Sequence, residues 1–213
     1  MKPLVFTLAL ASALNAGVVI DRIAAIVGKQ VIKASDIDRD LRVTAFLNQS
    51  PLNLNAQARK QATERLIDQT IIRNEIASGG YNRASDTDAD HMLDQIRRER
   101  FGGSDQRLRQ ALAPYGLTED QLRAQLLWQL TVLAFIDERF RPGVLVTDEE
   151  VRQYYDQHLA ELKRQYPRDN TFETLASKIR SNLEGERINE QFESWLESTR
   201  KQQRVEFPPG APQ

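Results

Sequence analysis

Apolar residues along most of this chain recur three and four positions apart, the spacing of one face of a helix, and this predicts a mostly α protein. The broadest stripe follows Leu117: Leu122, Leu126, Leu127, Leu130, Leu133, Ala134 and Ile136. It is wider than a helix with one wet face needs, so this helix is expected to be the hub of the core. Its start reads Leu117-Thr118-Glu119-Asp120-Gln121-Leu122, and the next helix opens on the same pattern, Val146-Thr147-Asp148-Glu149-Glu150-Val151. In each, the threonine can accept from a free first-turn amide while the Gln or Glu three residues on reaches back, and the flanking apolar residues can staple. The first-turn acids suit the positive end of the helix dipole. Arg141-Pro142-Gly143 breaks the chain between the two helices.

The remaining elements follow by the same reasoning. Residues 18–32 read as a hairpin around Gly28-Lys29, with Gly at the first central position of a type II′ turn. Ser35 is expected to cap a helix carrying Ile37, Leu41 and Ala45. Pro51 lies in an Asn-rich loop over 48–55, and 56–77 is a long helix with Ala62, Leu66, Ile67, Thr70, Ile71 and Ile76 inward, stopped by Ser78-Gly79-Gly80. A helix from Ser85 carries Ala89, Met92, Leu93 and Ile96 to Phe101-Gly102-Gly103, and a short one runs from Asp105 through Leu108 and Leu112 to Pro114-Tyr115-Gly116. The helix from Thr147 carries Val151, Tyr154, Tyr155, Leu159 and Leu162 to about Gln165. Thr171 caps a last long helix with Phe172, Leu175, Ile179, Leu183, Ile188, Phe192, Trp195 and Leu196. Arg204-Val205-Glu206-Phe207 alternates like a strand, before a Pro-rich tail at 208–213 that is expected to be disordered. An isolated hairpin is marginal, so the terminal strand is expected to join it. The fold class is therefore mostly α: a multi-helix core with a small β-hairpin joined by a C-terminal strand.

With 213 residues the chain fits one or two domains, and 40% hydrophobic residues can build a core. A net charge of −1 gives no bulk electrostatic case for nucleic acid or an acidic membrane surface. Absence of cysteine excludes disulfides, thiol catalysis, Cys-based zinc sites and a lipidated cysteine. The N-terminus carries Lys2, an apolar run from Leu4 to Leu10 that continues into alanines, and small-residue sites at Ala11-Ser12-Ala13 and Leu14-Asn15-Ala16. That is the pattern of a signal peptide over 1–16, cleaved after Ala13 or Ala16, and its apolar run is short for a bilayer span. The mature protein is expected to be exported, with no stable membrane insertion.

Several stretches taken together resemble the SurA family of periplasmic chaperones. Val18-Val19-Ile20-Asp21-Arg22-Ile23-Ala24-Ala25-Ile26-Val27-Gly28, then Val31-Ile32 and Ser35-Asp36-Ile37-Asp38, is similar to the start of the mature family chain. Residues 93–96, Leu108-Arg109, Tyr115-Gly116-Leu117-Thr118 and Leu122-Arg123 resemble its helical N-terminal domain. Phe192-Glu193-Ser194-Trp195-Leu196, Arg200 and Val205-Glu206-Phe207 resemble its closing helix and strand. The resemblance implies one chaperone core over 17–207, with an N-terminal part at 17–165 and a C-terminal helix and strand at 171–207. It also implies a periplasmic location and unfolded outer-membrane-type polypeptides as clients. The family usually inserts parvulin prolyl-isomerase domains after a linker similar to 146–158. Here the stretch 159–170 leaves no room for a domain, which takes on the order of a hundred residues.

Candidate chemistry is sparse. The two histidines, His91 and His158, lack a metal-ligand partner at helical spacing and read as solvent-exposed. Asp86, Asp88 and Asp90 lack the glycine and closing glutamate of a calcium loop and suit a helix start. No G-x-S-x-G or phosphate-loop lysine occurs. Arg97-Arg98-Glu99-Arg100 is the densest basic cluster and reads as a solvated face. No catalytic residue, metal or cofactor is expected. Trp128 and Trp195 read as core; Tyr154 and Tyr155 are adjacent, so they cannot share a helix face. Met92, Leu93, Phe101 and Tyr115, with Tyr154, admit two readings: a satellite core, or an apolar surface that holds extended clients. The function expected is ATP-independent chaperoning of unfolded polypeptides in outer-membrane protein assembly, without enzymatic activity. The alternatives are a prolyl isomerase or foldase-related enzyme, and an envelope adaptor with one fixed partner.

Overall fold

A computed structural model describes residues 21–209; the expected signal peptide and the last four residues of the tail lie outside them. The chain begins with a hairpin, β1 (Ile23–Val27) and β2 (Gln30–Lys33). Gly28 has φ +58° and Lys29 does not share the positive φ, the sign pattern of a type II′ turn. The short strand β3 (Val205–Glu206) pairs antiparallel with β1, Val205 opposite Val27 and Glu206 opposite Ile26, so the order is β2-β1-β3. The Gly28 amide donates to the Arg204 carbonyl at 3.0 Å, fastening the chain's end to the hairpin turn.

Helix α1 (Ala34–Leu47) starts two residues earlier than the serine signal suggests. Strand β2 runs into it with no loop, so the cap position falls on Lys33, whose amide donates to the Asp36 carboxylate at 3.0 Å. Ser35 lies inside the first turn and instead binds Asp21 through its amide and hydroxyl. Helix α2 (Ala56–Gly79) buries Ala62, Ile67, Ile71 and Ile76 as expected, together with Thr63 and Ile72. The Thr63 hydroxyl is satisfied by donating to the Arg59 carbonyl at 2.8 Å, so a polar residue is accommodated there. Gly80 closes α2 in the left-handed region, at φ +69°, which favours glycine.

Helices α3 (Asp86–Phe101) and α4 (Asp105–Leu112) lead through a 3-10 turn to α5 (Glu119–Phe140). Both capping boxes form. Gln121 N donates to Thr118 Oγ1 at 3.2 Å and Thr118 N to Gln121 Oε1 at 3.0 Å; Thr147 and Glu150 repeat the exchange at 3.3 and 2.8 Å to open α6 (Asp148–Gln165). Helix α5 does bridge two parts of the core, with a different buried face from the leucine stripe. Leu122 and Leu126 pack with α3, α4 and Phe46, while Trp128, Phe135 and Phe140 pack with α2 and the last helix. Leu133 is 61% exposed. It stands two residues from both Thr131 and Phe135, about 200° around the helix, on the side with no neighbour to cover it.

Helix α7 (Phe172–Gln202) runs alongside two partners in turn. Its start, through Leu175 and Ile179, packs on Val146, Val151 and Leu162. Its later turns put Ile188 and Phe192 against Ile72, Ile76, Phe135 and Phe140, and Trp195 and Leu196 against those residues and the hairpin cluster of Ala25, Val27 and Ile67. Arg200 ties the end of α7 to α2 through Glu64 and Asp68.

Candidate functional site

The residues that admitted a client-binding reading come together only in part. Met92, Leu93, Phe101 and Tyr115 gather around Phe46, whose ring stacks on Phe101 at 6.4 Å and meets Tyr115 edge-on at 5.7 Å. Leu93 is buried and offers no surface, while Met92, Phe101 and Tyr115 are half-buried. Tyr115 is anchored at both polar ends: its hydroxyl donates to the Ser50 carbonyl at 3.1 Å, and Arg42 donates to its carbonyl at 2.7 Å. Tyr154 belongs to the separate cluster between α6 and α7. There it stacks on His158 at 4.0 Å, so that histidine is half-buried and not free in solvent; a ring one helical turn away covers it. Tyr155 is also half-buried, its hydroxyl donating to the Asn170 carbonyl at 2.7 Å. His91 is exposed.

A larger concave feature lies elsewhere. An open groove of about 880 Å³ runs between α2 and α5, with β2 and α1 along its other side. Apolar side chains of Val43, Leu66, Ile76, Leu127 and Trp128 form its floor, and Val31 of β2, 44% exposed, stands at its margin. The sheet order leaves β2 as an edge strand, so main-chain groups border the groove on that side. The fold produces this shape for a simple reason: α2 and α5 meet at Trp128 and Ile76, while the direct support of α5 nearer its start comes from α3.

Charges line the rim. Asp36 pairs with Arg39 at 3.3 Å and Asp40 with Arg65 at 2.5 Å. Arg73 stacks its guanidinium 3.7 Å from the centre of the Trp128 ring. Its side chain is open to solvent as a whole, yet the walls around its head group strip away water. This burial, and then the nearby positive charge of Arg83, push its pKa below the ordinary arginine value. The groove's hydroxyls are already used: Thr70 donates to the Leu66 carbonyl at 2.7 Å and Thr131 to the Leu127 carbonyl at 2.8 Å. No histidine lines it to activate a nucleophile. Its chemistry is that of holding a ligand by apolar contact, backbone pairing and guanidinium charge.

Sequence reasoning did not single out this groove. Trp128 was visible as a core residue, and its ring does pack inward, but Arg73 and Arg83 carry no motif. Only the tertiary fold brings Arg73 of α2 over Trp128 of α5 and sets Arg83, in the loop after α2, on the same groove. Among the described residues, no three His, Asp or Glu side chains converge as metal ligands, and no helix is long and apolar enough to cross a membrane. No family model and no curated protein matches the chain.

Proposed function

We propose that this chain is an exported, ATP-independent holding chaperone of the periplasm that binds unfolded polypeptides, with outer-membrane proteins as its clients. The observation that carries the reading is the open groove: an apolar floor, a sheet edge on one side and a charged rim suit an extended chain of variable sequence. The resemblance of the hairpin, the helical segments and the closing helix and strand to SurA-type chaperones supports the same reading. Mixed apolar and ion-paired surface gives many small contacts, which is the basis of binding many partners weakly.

The test is light scattering of several unrelated unfolded proteins, with and without the purified protein and with no nucleotide. Suppressed aggregation of most of them is expected. Ala124 is exposed and lines the groove, so Ala124→Trp should fill it and weaken suppression while leaving the fold intact. A protein that ignores all clients but one is an adaptor, and the chaperone reading fails. Unchanged suppression by Ala124→Trp removes the groove from the reading.

A further inference from the structure

The positive charges of the groove are of two kinds. Arg39 is neutralised by Asp36, and the groove's Asp40 by Arg65. Arg73 and Arg83 line the same groove, and among the described residues neither has a carboxylate within ion-pair distance. Arg73 is also held in place, its guanidinium carbon over the Trp128 ring at 3.7 Å from the ring centre. A guanidinium fixed on one face presents its N–H edge to one side and loses little freedom on binding there. Its burial and the repulsion from Arg83 both disfavour the charge, and the attraction of an anion placed between them would offset that cost.

The dimensions set the size of the occupant. The groove is lined by α2 from Leu66 to Ala77 and by α5 from Asp120 to Thr131. Each stretch is about 16 Å long at the helical rise, or about five residues of extended chain. Charge is divided along it. The acid Asp120 lies about 12 Å along α5 from Trp128, so an anionic group is favoured at the Trp128 end and disfavoured at the other.

Resting on the reading of this groove as a polypeptide site, we propose that it prefers an extended segment with an acidic side chain flanked by apolar ones. The Asp or Glu carboxylate bridges Arg73 and Arg83, the apolar neighbours lie on Leu66 and Leu127, and the backbone runs beside the edge strand β2. Arginine and carboxylate match as paired donors and acceptors, and partial exclusion of water strengthens the pairing. A side-chain carboxylate, not a chain end, is the fitting anion because the lining continues on both sides of Arg73 and Trp128, to Leu66 and Ala77 on α2 and to Asp120 and Thr131 on α5, so residues before and after it have wall to lie against.

The experiment is fluorescence anisotropy with three labelled peptides of alternating valine and threonine. The first has blocked ends and a central glutamate. The second is identical with glutamine. The third has the glutamine and a free terminal carboxylate. The glutamate peptide should bind about tenfold more tightly than its glutamine twin, the scale of a charge-assisted pair. The preference should shrink with added salt. It should vanish in Arg73→Gln/Arg83→Gln and persist in part in Arg83→Lys, with circular dichroism melts showing each variant folded. Equal binding of the first two peptides overturns the proposal, as does a preference that survives the double substitution. Tightest binding of the third peptide assigns the groove to chain ends and overturns it too. So does a dimer, seen by sedimentation, that the double substitution dissociates, because a second copy then fills the groove. Suppression of aggregation by wild-type protein is read separately with clients poor in acids. Its loss beside an intact glutamate preference sinks the chaperone reading alone, and the converse sinks only this inference.

Discussion

Replacing Trp195 with alanine should destabilise the whole fold, because this one side chain closes two parts of the core. Its ring meets Phe135 at 5.5 Å, Phe140 at 5.9 Å and Phe192 at 6.0 Å, and the Arg139 guanidinium lies 5.2 Å from its centre. It also packs on the cluster beneath the hairpin. Truncating a fully buried Trp or Phe to alanine costs about 3–5 kcal/mol, including the cavity left behind. Trp195 is half-buried, so the lower end applies, about 3 kcal/mol. For a chain of this length that corresponds to a fall in Tm of about 6–12 °C. It is a large share of a total stability commonly about 5–15 kcal/mol. The assay is a thermal melt followed by circular dichroism, with urea unfolding to check that the transition stays cooperative. Leu133→Ala is the control: its side chain is 61% exposed and should shift Tm by no more than about 2 °C. A Trp195→Ala protein melting within that same margin would refute the claim that α7 is an integral wall of the core. A chain ending at Asn170 should do worse still and lose cooperative melting, since it lacks the buried Leu175, Ile179 and Ile188 as well as β3.

Three further outcomes are expected. Glu150 is held at about 2, below its ordinary 4.5, first by the Arg187 guanidinium and then by the Thr147 amide. A depressed acid stabilises above its ordinary value and loses that contribution as pH falls. Glu150→Gln should therefore lower Tm at pH 7, with the gap from wild type closing between about pH 4.5 and 2. The glutamine can still reach back to Thr147, so the measured difference reports the Arg187 pair. N-terminal sequencing of exported protein should begin at Leu14 or Gly17; an intact Met1 in the soluble fraction contradicts a cleaved signal peptide. The purified protein should not accelerate cis–trans isomerisation of an X-Pro peptide in a protease-coupled assay, and a rate rising with protein concentration would establish the enzymatic alternative.

The sequence alone determined what local physics controls. Threonine caps with a Gln or Glu three residues on form in place at Thr118 and Thr147, because side chain and backbone lie within one turn of each other. Gly80, Gly102 and Gly116 stop their helices in the left-handed region that other residues avoid. Even the pairing of β3 with the hairpin was legible, since a two-stranded ribbon needs a further partner and the chain offers only one other strand-like stretch. Tertiary structure decided the rest. Which face of α5 is buried depends on where α2, α3 and α7 lie, and that arrangement leaves Leu133 in solvent while burying Thr131 and Phe135. The half-burial of His158 depends on its stacking with Tyr154, and Ser35 lost its cap because a strand runs straight into α1. The groove itself has no sequence signature. Arg73 and Trp128 are 55 positions apart in the chain, and only the meeting of α2 with α5 brings a guanidinium over that ring, with Arg83 facing the same opening. Helix periodicity tells which side of a helix is apolar, but a groove forms where two such sides fail to meet, and that distance is set by every other element packed around them.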